Sequence, residues 1–266
     1  AGGCGAGASG EVGGRGLGGG RDGAVVATRF GSSGPGRGAA AGSRSNVIRA
    51  CEGSLRRLGT DRIDLLYLHR PDPFTPVEET LDALDSLVVQ GKVRYVAASA
   101  LAGWQVADAD HVARANGVER FVANQIEWNL LSRSVETEVV TACRHFGVGI
   151  VPYFPLASGL LTGKYRRGVE PPAGTRMSSG TYFSSALTEA NFDKVERLTA
   201  FAESRGRSLL ELAIGWLLSQ PGVASVIAGA TSPGQLVANI EASTWSLSAD
   251  EMAAVDVALD GDPTED

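Results

Sequence analysis

The chain has 266 residues, of which 43% are hydrophobic and 20% are charged. This length is enough for one domain of the size of an α/β barrel, or for two small domains. The formal net charge of −6 leaves no basic surplus for neutralising phosphates, so we expect no nucleic-acid partner. No window approaches the run of about 18 apolar residues that a membrane span needs, so we expect no membrane partner either.

Cysteine usage bears on metal binding and on the compartment. The three cysteines, Cys4, Cys51 and Cys143, are far apart and form neither a C-x-x-C motif nor a cluster with histidine. This pattern predicts reduced thiols, with no disulfide framework and no metal site. Disulfides are rare in the cytosol, and no secretory signal pattern opens the sequence, so we predict a cytoplasmic protein.

Glycine is concentrated at the start of the chain. Of the 35 glycines, 17 fall within the first 50 residues, and the sequence begins with Ala1. Each Gly in a helix costs roughly 1 kcal/mol relative to Ala, so this composition weakens a helix predicted near 10–20. We therefore predict a degenerate Gly-rich segment at 1–22, a single folded domain at 23–262, and a sequence that is a fragment.

From residue 24 onward, short apolar runs alternate with amphipathic stretches. The runs are rich in Val, Ile and Tyr, which is typical of buried strands. They predict strands at 24–28, 63–68, 93–97, 121–125, 148–154 and 223–228. The stretches between and after them predict helices near 45–58, 76–90, 103–115, 135–146, 188–219 in two pieces, 233–242 and 248–259.

The helix at 76–90 illustrates the reasoning. Thr75 can cap it, Pro76 suits the first helical position, and Gly91 follows where a left-handed residue is favoured. Helices alternating with strands predict βα units on a parallel sheet. An open Rossmann sheet is the competing architecture, but no G-x-G-x-x-G motif follows a predicted strand. The long irregular stretch 166–187 predicts a mobile loop.

Polar or aromatic side chains end the predicted strands, except that Gly229 follows the last of them. Active sites of βα barrels lie at the carboxyl ends of the strands, so these residues are candidates for the chemistry. They are Arg29, His69, Ser99, Gln125, Tyr153, Phe154 and Gly229. Other conspicuous residues have plainer interpretations: His111 and His145 as solvated or packing residues of helices, Trp104, Trp128 and Trp216 as core or pocket-wall aromatics, and Asp61, Asp64 and Asp72 as cap and loop carboxylates.

Five segments resemble motifs of the aldo-keto reductase family. SLRRLGTDRIDLLYLHRPDP (54–73) is similar to the strand that delivers a catalytic histidine, and GKVRYVAASA (91–100) to the segment that usually ends Gly-x-Ser-Asn. NQIEWNLLSR (124–133) is similar to the Gln-containing nicotinamide strand. YFPLASGLLTGKY (153–165) resembles the loop that stacks on nicotinamide and holds pyrophosphate, and VIAGATSPGQLVANIEA (226–242) resembles the adenosine-phosphate segment.

The resemblance implies a (β/α)8 barrel of the TIM type, incomplete here because its first two strands are missing. It implies reduction of small aldehydes and ketones with NADP(H), NAD(H) being the less favoured cofactor. His69 would position the carbonyl oxygen, and Arg29 stands where the family has a catalytic lysine. The cofactor would be bound by Ser99, Gln125, Tyr153, Phe154, Pro155, Leu156, Ser158, Gly159, Lys164, Gly229, Thr231, Ser232, Gln235 and Asn239.

Several residues depart from the family's pattern. Aligning CGAGASGEVGGRGLGG (4–19) with the segment that carries the proton-donating tyrosine puts Cys4 at the tyrosine position, and the paired Asp is absent. Arginine in place of lysine at Arg29 keeps the charge but presents a bulkier, planar head. Ala100 replaces the usual Asn. We therefore expect little reductase activity, and the alternative is an inactive cofactor-binding pseudoenzyme that serves as a regulatory or partner module.

Overall fold

Five strands form one sheet in the order β1-β2-β3-β4-β5. The computed structural model describes residues 8–31, 40–178 and 186–260. The strands are β1 (Ala27–Phe30), β2 (Ile63–Leu68), β3 (Val93–Ser99), β4 (Ala123–Glu127) and β5 (Gly149–Tyr153). The pairings of β1 with β2, β2 with β3 and β3 with β4 are parallel, as the alternating pattern predicts.

Helices follow the strands, and most of them lie within a few residues of the predicted ranges. They are α1 (Ala8–Leu17), α2 (Arg44–Leu58), α3 (Val77–Val89), α4 (Gly103–Asn116), α5 (Val139–Phe146), α6 (Glu189–Glu203), α7 (Leu209–Leu218), α8 (Pro233–Glu241) and α9 (Ala249–Asp260). Short 3-10 helices occupy Gly18–Gly23, Ser134–Glu136, Ala157–Thr162, Arg176–Ser178 and Ala242–Thr244.

The described chain divides into two compact units. One comprises Ala1–Ile126 with Thr137–Ile150, and the other comprises Glu127–Glu136 with Val151–Asp266. The first unit contains β1 to β3 with α1 to α5, and the second contains α6 to α9. A single domain at 23–262 stays a prediction.

Helix α3 forms for the predicted reasons, except at its start. Its buried face carries Leu81, Leu84 and Leu87, which recur at helical spacing. Thr75, expected to cap the helix, instead donates its hydroxyl hydrogen to Asp72 Oδ2 at 2.7 Å. Pro76, expected at the first helical position, is instead the N-cap residue and makes no side-chain hydrogen bond there. The helix begins at Val77.

The described part of the Gly-rich segment is folded. Residues 8–23 form α1 and a 3-10 helix, despite the low helix propensity of Gly. A Cβ on Gly14 would lie 2.6 Å from the Leu58 carbonyl oxygen, so glycine permits a close approach of α1 to the end of α2. Arg21 adds an ion pair of 2.7 Å to the buried Asp64, which anchors the segment at the start of β2.

The sixth predicted strand, 223–228, is wrong as a strand. Only a single bridge forms there, between Tyr153 and Ile227, and the Ile227 N–H donates to the Pro152 carbonyl at 2.9 Å. Ile227 is 43% exposed, whereas a central strand of a parallel sheet is buried on both faces. The apolar run at 223–228 therefore lies beside β5 and bonds to it at one point, without forming a strand.

The plainer interpretations of the aromatic residues mostly hold. Trp128 and Trp216 are buried and pack edge to face at 5.6 Å. His111 and His145 each contact the Phe146 ring in the same geometry. Trp104 is 65% exposed, so its assignment to the core is wrong. Trp104 is the second residue of α4, and its backbone N–H donates to Glu138 Oε1. Its side chain is exposed to solvent.

Candidate active site

The carboxyl ends of β1, β3 and β4 bring three of the predicted site residues together. Arg29 Nη1 donates to Gln125 Oε1 at 3.0 Å, although the two residues are 96 positions apart in the chain. Ser99 Oγ donates to the Gln125 backbone carbonyl at 3.1 Å. Ser99 and Gln125 are both buried, so their orientations are fixed by these bonds.

His69 follows β2 directly and joins the same set. Its backbone N–H donates to the Phe30 carbonyl at 2.9 Å, which continues the pairing of β2 with β1. Burial and, to a smaller extent, the positive charges of Arg29 and Arg70 together lower the pKa of the His69 imidazole to about 4. The imidazole is therefore neutral at neutral pH, and its N–H can donate to a carbonyl oxygen.

Tyr67 is a residue of this set that the sequence analysis missed. It pairs with Arg29 across β1 and β2 and is 3% exposed. Burial raises the pKa of its hydroxyl, while the Gln125 side chain and the Arg29 charge lower it. Tyr67 stands two residues before His69 and so shares its face of the strand, which is the one signal that could have pointed to it. We call Arg29, Tyr67, His69, Ser99 and Gln125 the strand-end set.

Ala100 lies immediately after β3 in a strained backbone conformation. Its φ is +58°, a left-handed conformation that alanine rarely adopts and that asparagine tolerates better. Its N–H donates to the Gln125 carbonyl at 2.8 Å, so this bond helps to hold the conformation. The position where the sequence analysis expects Asn has the backbone geometry that suits Asn.

The loop after β5 also has an unusual backbone. Positive φ angles occur at Phe154 (+53°), Ala157 (+44°), Ser158 (+59°) and Gly159 (+102°). Such conformations cost roughly 1 kcal/mol or more each for non-Gly residues and cluster at ligand-binding sites. The predicted pyrophosphate residues Phe154, Pro155, Leu156, Ser158 and Gly159 are therefore in a strained, tightly turned loop.

Lys164 folds back onto this loop. Its Nζ lies 3.0 Å from the position that a Cβ on Gly159 would take, so a side chain at Gly159 would displace the ammonium group. The same Nζ lies 5.0 Å from the centre of the Tyr165 ring. A cation held beside a turn of backbone with positive φ angles is an arrangement that suits a pyrophosphate.

Tyr153 and Phe154 begin this loop. Their rings pack edge to face at 5.3 Å, and the Phe154 carbonyl accepts a bond of 3.0 Å from Asn129 Nδ2. The bridge from Tyr153 to Ile227 sets the start of the loop beside the segment that leads to Gly229 and α8. The two predicted phosphate-binding segments therefore start next to each other.

The residues predicted to bind the adenosine phosphate lie around the start of α8, and local hydrogen bonds organise them. Ser232 caps the helix by accepting from the Gln235 N–H at 3.3 Å. Gln235 Oε1 in turn accepts from the Thr231 N–H at 2.7 Å and from the Thr231 hydroxyl at 3.0 Å. Asn239 Nδ2 donates to the Gly229 carbonyl at 3.5 Å. We call Gly229, Thr231, Ser232, Gln235 and Asn239 the helix set.

The two sets belong to different compact units, the strand-end set to the first and the helix set to the second. Cys4, the residue at the expected tyrosine position, lies outside the described residues. Cys51 and Cys143 are buried free thiols, and burial raises the pKa of each to about 11. They are therefore unreactive thiols at neutral pH.

The part of the chain that the structure describes contains neither a candidate metal site nor a helix that could span a membrane. Within residues 8–31, 40–178 and 186–260, His, Cys, Asp and Glu side chains form no group that could hold a metal ion. Across the same ranges, every helix is too short or too polar to cross a membrane.

The parallel sheet with its helices and the residues at its strand ends define a class of protein, and comparison with known families agrees. The model of the aldo/keto reductase family matches residues 5–260, so the chain belongs to this family of oxidoreductases. Its fold class is the family's (β/α)8 barrel. The family uses nicotinamide cofactors.

Individual relatives carry two kinds of name. Proteins described as a probable voltage-gated potassium channel subunit beta, from Oryza sativa subsp. japonica and Arabidopsis thaliana, are 38% and 36% identical over 222 residues. Each alignment covers 82% of this chain and 67% of the relative. Probable aldo-keto reductase 1 of Glycine max is 35% identical over 216 residues, which cover 80% of this chain and 60% of that protein.

Proposed function

We propose that this chain is an NADP(H)-dependent oxidoreductase that reduces small aldehydes or ketones to alcohols, and that it does so slowly. The observation that carries the proposal is the strand-end set. Arg29, Ser99 and Gln125 are joined near the carboxyl ends of β1, β3 and β4, and a neutral His69 directly follows β2. Active sites of barrels lie at this end of the strands.

Gln125 and Ser99 are the proposed partners of the nicotinamide carboxamide. Gln125 Oε1 accepts from Arg29, so its amide NH2 is the group left to donate. Because the side chain is buried and held by Arg29, little entropy is lost when it binds. The bound cofactor would supply the hydride, and Tyr153 would pack against its ring.

The phosphates would be bound by backbone and by one cation. The loop from Phe154 to Gly159 offers turned backbone, and the ammonium of Lys164 lies against it. The start of α8 presents helix N–H groups and the Ser232 hydroxyl, which suit a 2′-phosphate. This second anion site is the reason that we favour NADP(H) over NAD(H).

His69 would orient the substrate, and proton donation would limit the rate. A neutral imidazole N–H can hydrogen-bond the carbonyl oxygen and hold it for hydride attack. The resemblance implies a tyrosine as proton donor, and the alignment of 4–19 would put Cys4 at its position. A positioned general acid contributes about 10²- to 10⁴-fold, so its absence predicts slow turnover.

A second candidate function is that of a regulatory or partner module that binds the cofactor without turnover. The relatives named as potassium channel subunits favour it, because their names describe a subunit role. Cys4 and Arg29 at the catalytic positions favour it as well. This candidate predicts saturable cofactor binding with no reduction that depends on His69.

The test combines binding with turnover. NADPH is titrated into the protein with tryptophan fluorescence as the signal, and NADPH oxidation is then followed with a reactive dicarbonyl such as methylglyoxal. We expect saturable binding and a kcat below about 0.1 s⁻¹, at least 100-fold under a typical enzyme, which His69→Ala abolishes. His145→Ala, on α5, is the matched control and should leave the rate unchanged.

The outcomes separate the two candidates. Binding without any His69-dependent oxidation supports the module and contradicts the reductase. A kcat near 10 s⁻¹ in the unaltered chain contradicts slow turnover, since that is the rate of an ordinary enzyme with its general acid in place. No binding at millimolar NADPH overturns both candidates.

A further inference from the structure

Tyr67 lies one layer below His69 on the same face of β2. Side chains two residues apart in a strand share a face, and Tyr67 pairs with Arg29 on one side and with Ala97 on the other. Gln125 is on β4, where it pairs with Ser99. Tyr67 is 3% exposed, so its hydroxyl lies within the protein.

Small residues on β3 leave room on this face. β1 and β4 are three strand spacings of about 4.8 Å apart, yet Arg29 Nη1 and Gln125 Oε1 meet at 3.0 Å. Both long side chains therefore extend toward each other over β2 and β3, where the residues level with Arg29 are Tyr67 and Ala97. The face that Tyr67 shares is thus the space in which Arg29 and Gln125 meet.

The Tyr67 hydroxyl is the third group in this space. The Gln125 side chain and the Arg29 charge each lower the pKa of Tyr67, against the larger effect of burial, which raises it. An amide that lowers the pKa of a phenol acts as a donor to its oxygen. Because Gln125 Oε1 accepts from Arg29, the NH2 group is the part of the amide that can donate to the Tyr67 hydroxyl, which shares the face on which Arg29 and Gln125 meet.

We propose that Tyr67 is a positioning residue, which orients the Gln125 amide toward the nicotinamide carboxamide of the bound cofactor. It acts through Gln125 and touches neither cofactor nor substrate, because it lies one layer further from the strand ends than Ser99 and Gln125. This inference rests on the proposed function, in which Gln125 contacts the cofactor. It assigns a role in nicotinamide binding to a residue of the 54–73 motif to which the resemblance gives no function.

The test separates the nicotinamide end of the cofactor from the adenosine end. Tyr67→Phe removes the hydroxyl and keeps the ring, and the Kd values of NADPH and of adenosine 2′,5′-bisphosphate are measured by calorimetry. The bisphosphate lacks the nicotinamide, so it reports general damage to the fold. Tyr95→Phe is the matched control, because Tyr95 lies on β3 and is 57% exposed.

In Tyr67→Phe we expect the Kd of NADPH to rise about 3- to 10-fold, as the loss of one hydrogen bond predicts. The Kd of the bisphosphate should stay within about 1.5-fold, and Tyr95→Phe should change neither value. An unchanged NADPH Kd, or an equal rise for both ligands, overturns the positioning role. An unaltered chain that binds no NADPH overturns the proposed function itself, and that result is distinct from the other two.

Discussion

The strand-end set and the helix set are both predicted to bind one cofactor, but they are organised by different means. Arg29, Ser99 and Gln125 are joined by bonds between residues 26 to 96 positions apart, and Ser99 and Gln125 are buried. Thr231, Ser232 and Gln235 are exposed, and their bonds span three or four positions. Tertiary packing fixes the positions of the strand-end set, whereas local bonds at the start of α8 fix those of the helix set.

This difference determines whether a substitution changes folding stability, cofactor binding or both. A change in the strand-end set alters both folding and binding, because a buried polar group left without its partner destabilises the protein. A change in the helix set alters binding alone, since water replaces the lost partner. Each set contains one glutamine, so the same substitution can be made in both.

Gln125→Ala should have the largest effect on stability. It removes the acceptor of Arg29 and a neighbour of Tyr67, both in a buried region. We expect the free energy of unfolding to fall by about 2 kcal/mol, and denaturant unfolding measures it. A loss below about 0.5 kcal/mol would contradict the fixed, buried character of this set.

Gln235→Ala is the matched substitution in the helix set and should have a small effect on stability. Gln235 is exposed, and its hydrogen bonds within the described residues go to its neighbours Thr231 and Ser232. Exposed substitutions of this kind change the free energy of unfolding by about 0.5 kcal/mol or less, whereas NADPH binding should weaken several-fold. Equal destabilisation by the two glutamine variants would remove the distinction between the sets.

Ala100 offers the smallest and most selective test of the strand-end set. Both Ala100→Gly and Ala100→Asn relieve the strain of a φ of +58°, so each should stabilise the protein by about 0.5 kcal/mol. Only Asn adds an amide that can reach the carboxamide, so only Ala100→Asn should lower the Kd of NADPH. If both variants bind NADPH equally, the added amide makes no contact and this position lies outside the cofactor site.

Sequence patterns predicted the elements whose physical cause is local. Helix α3 is fixed by leucines at helical spacing, and β2 and β3 by continuous apolar runs. The run at 223–228 has the same composition as these strands, yet it makes one bridge, because pairing depends on a neighbour that no local pattern encodes. Trp104 shows the converse, since an aromatic in an amphipathic helix lies on the exposed face.

The candidate site divides in the same way. Capping by Ser232 follows from Ser-Pro at a helix start and could be predicted from the sequence. The contact between Arg29 and Gln125 spans 96 positions, and the role of Tyr67 depends on strand register, so neither could be predicted from local sequence. The family resemblance supplied the identity of the site residues, and the structure supplied which of them touch.

The central claim is that this chain binds the nicotinamide cofactor but donates a proton to the substrate poorly. Restoring a tyrosine as proton donor tests this claim most directly. In Cys4→Tyr/Arg29→Lys, methylglyoxal reduction under saturating NADPH should be about 10²- to 10⁴-fold faster than in the unaltered chain. The Kd of NADPH should stay within about threefold, and adding His69→Ala should remove the gain. Equal rates in two proteins that bind NADPH equally would contradict the account.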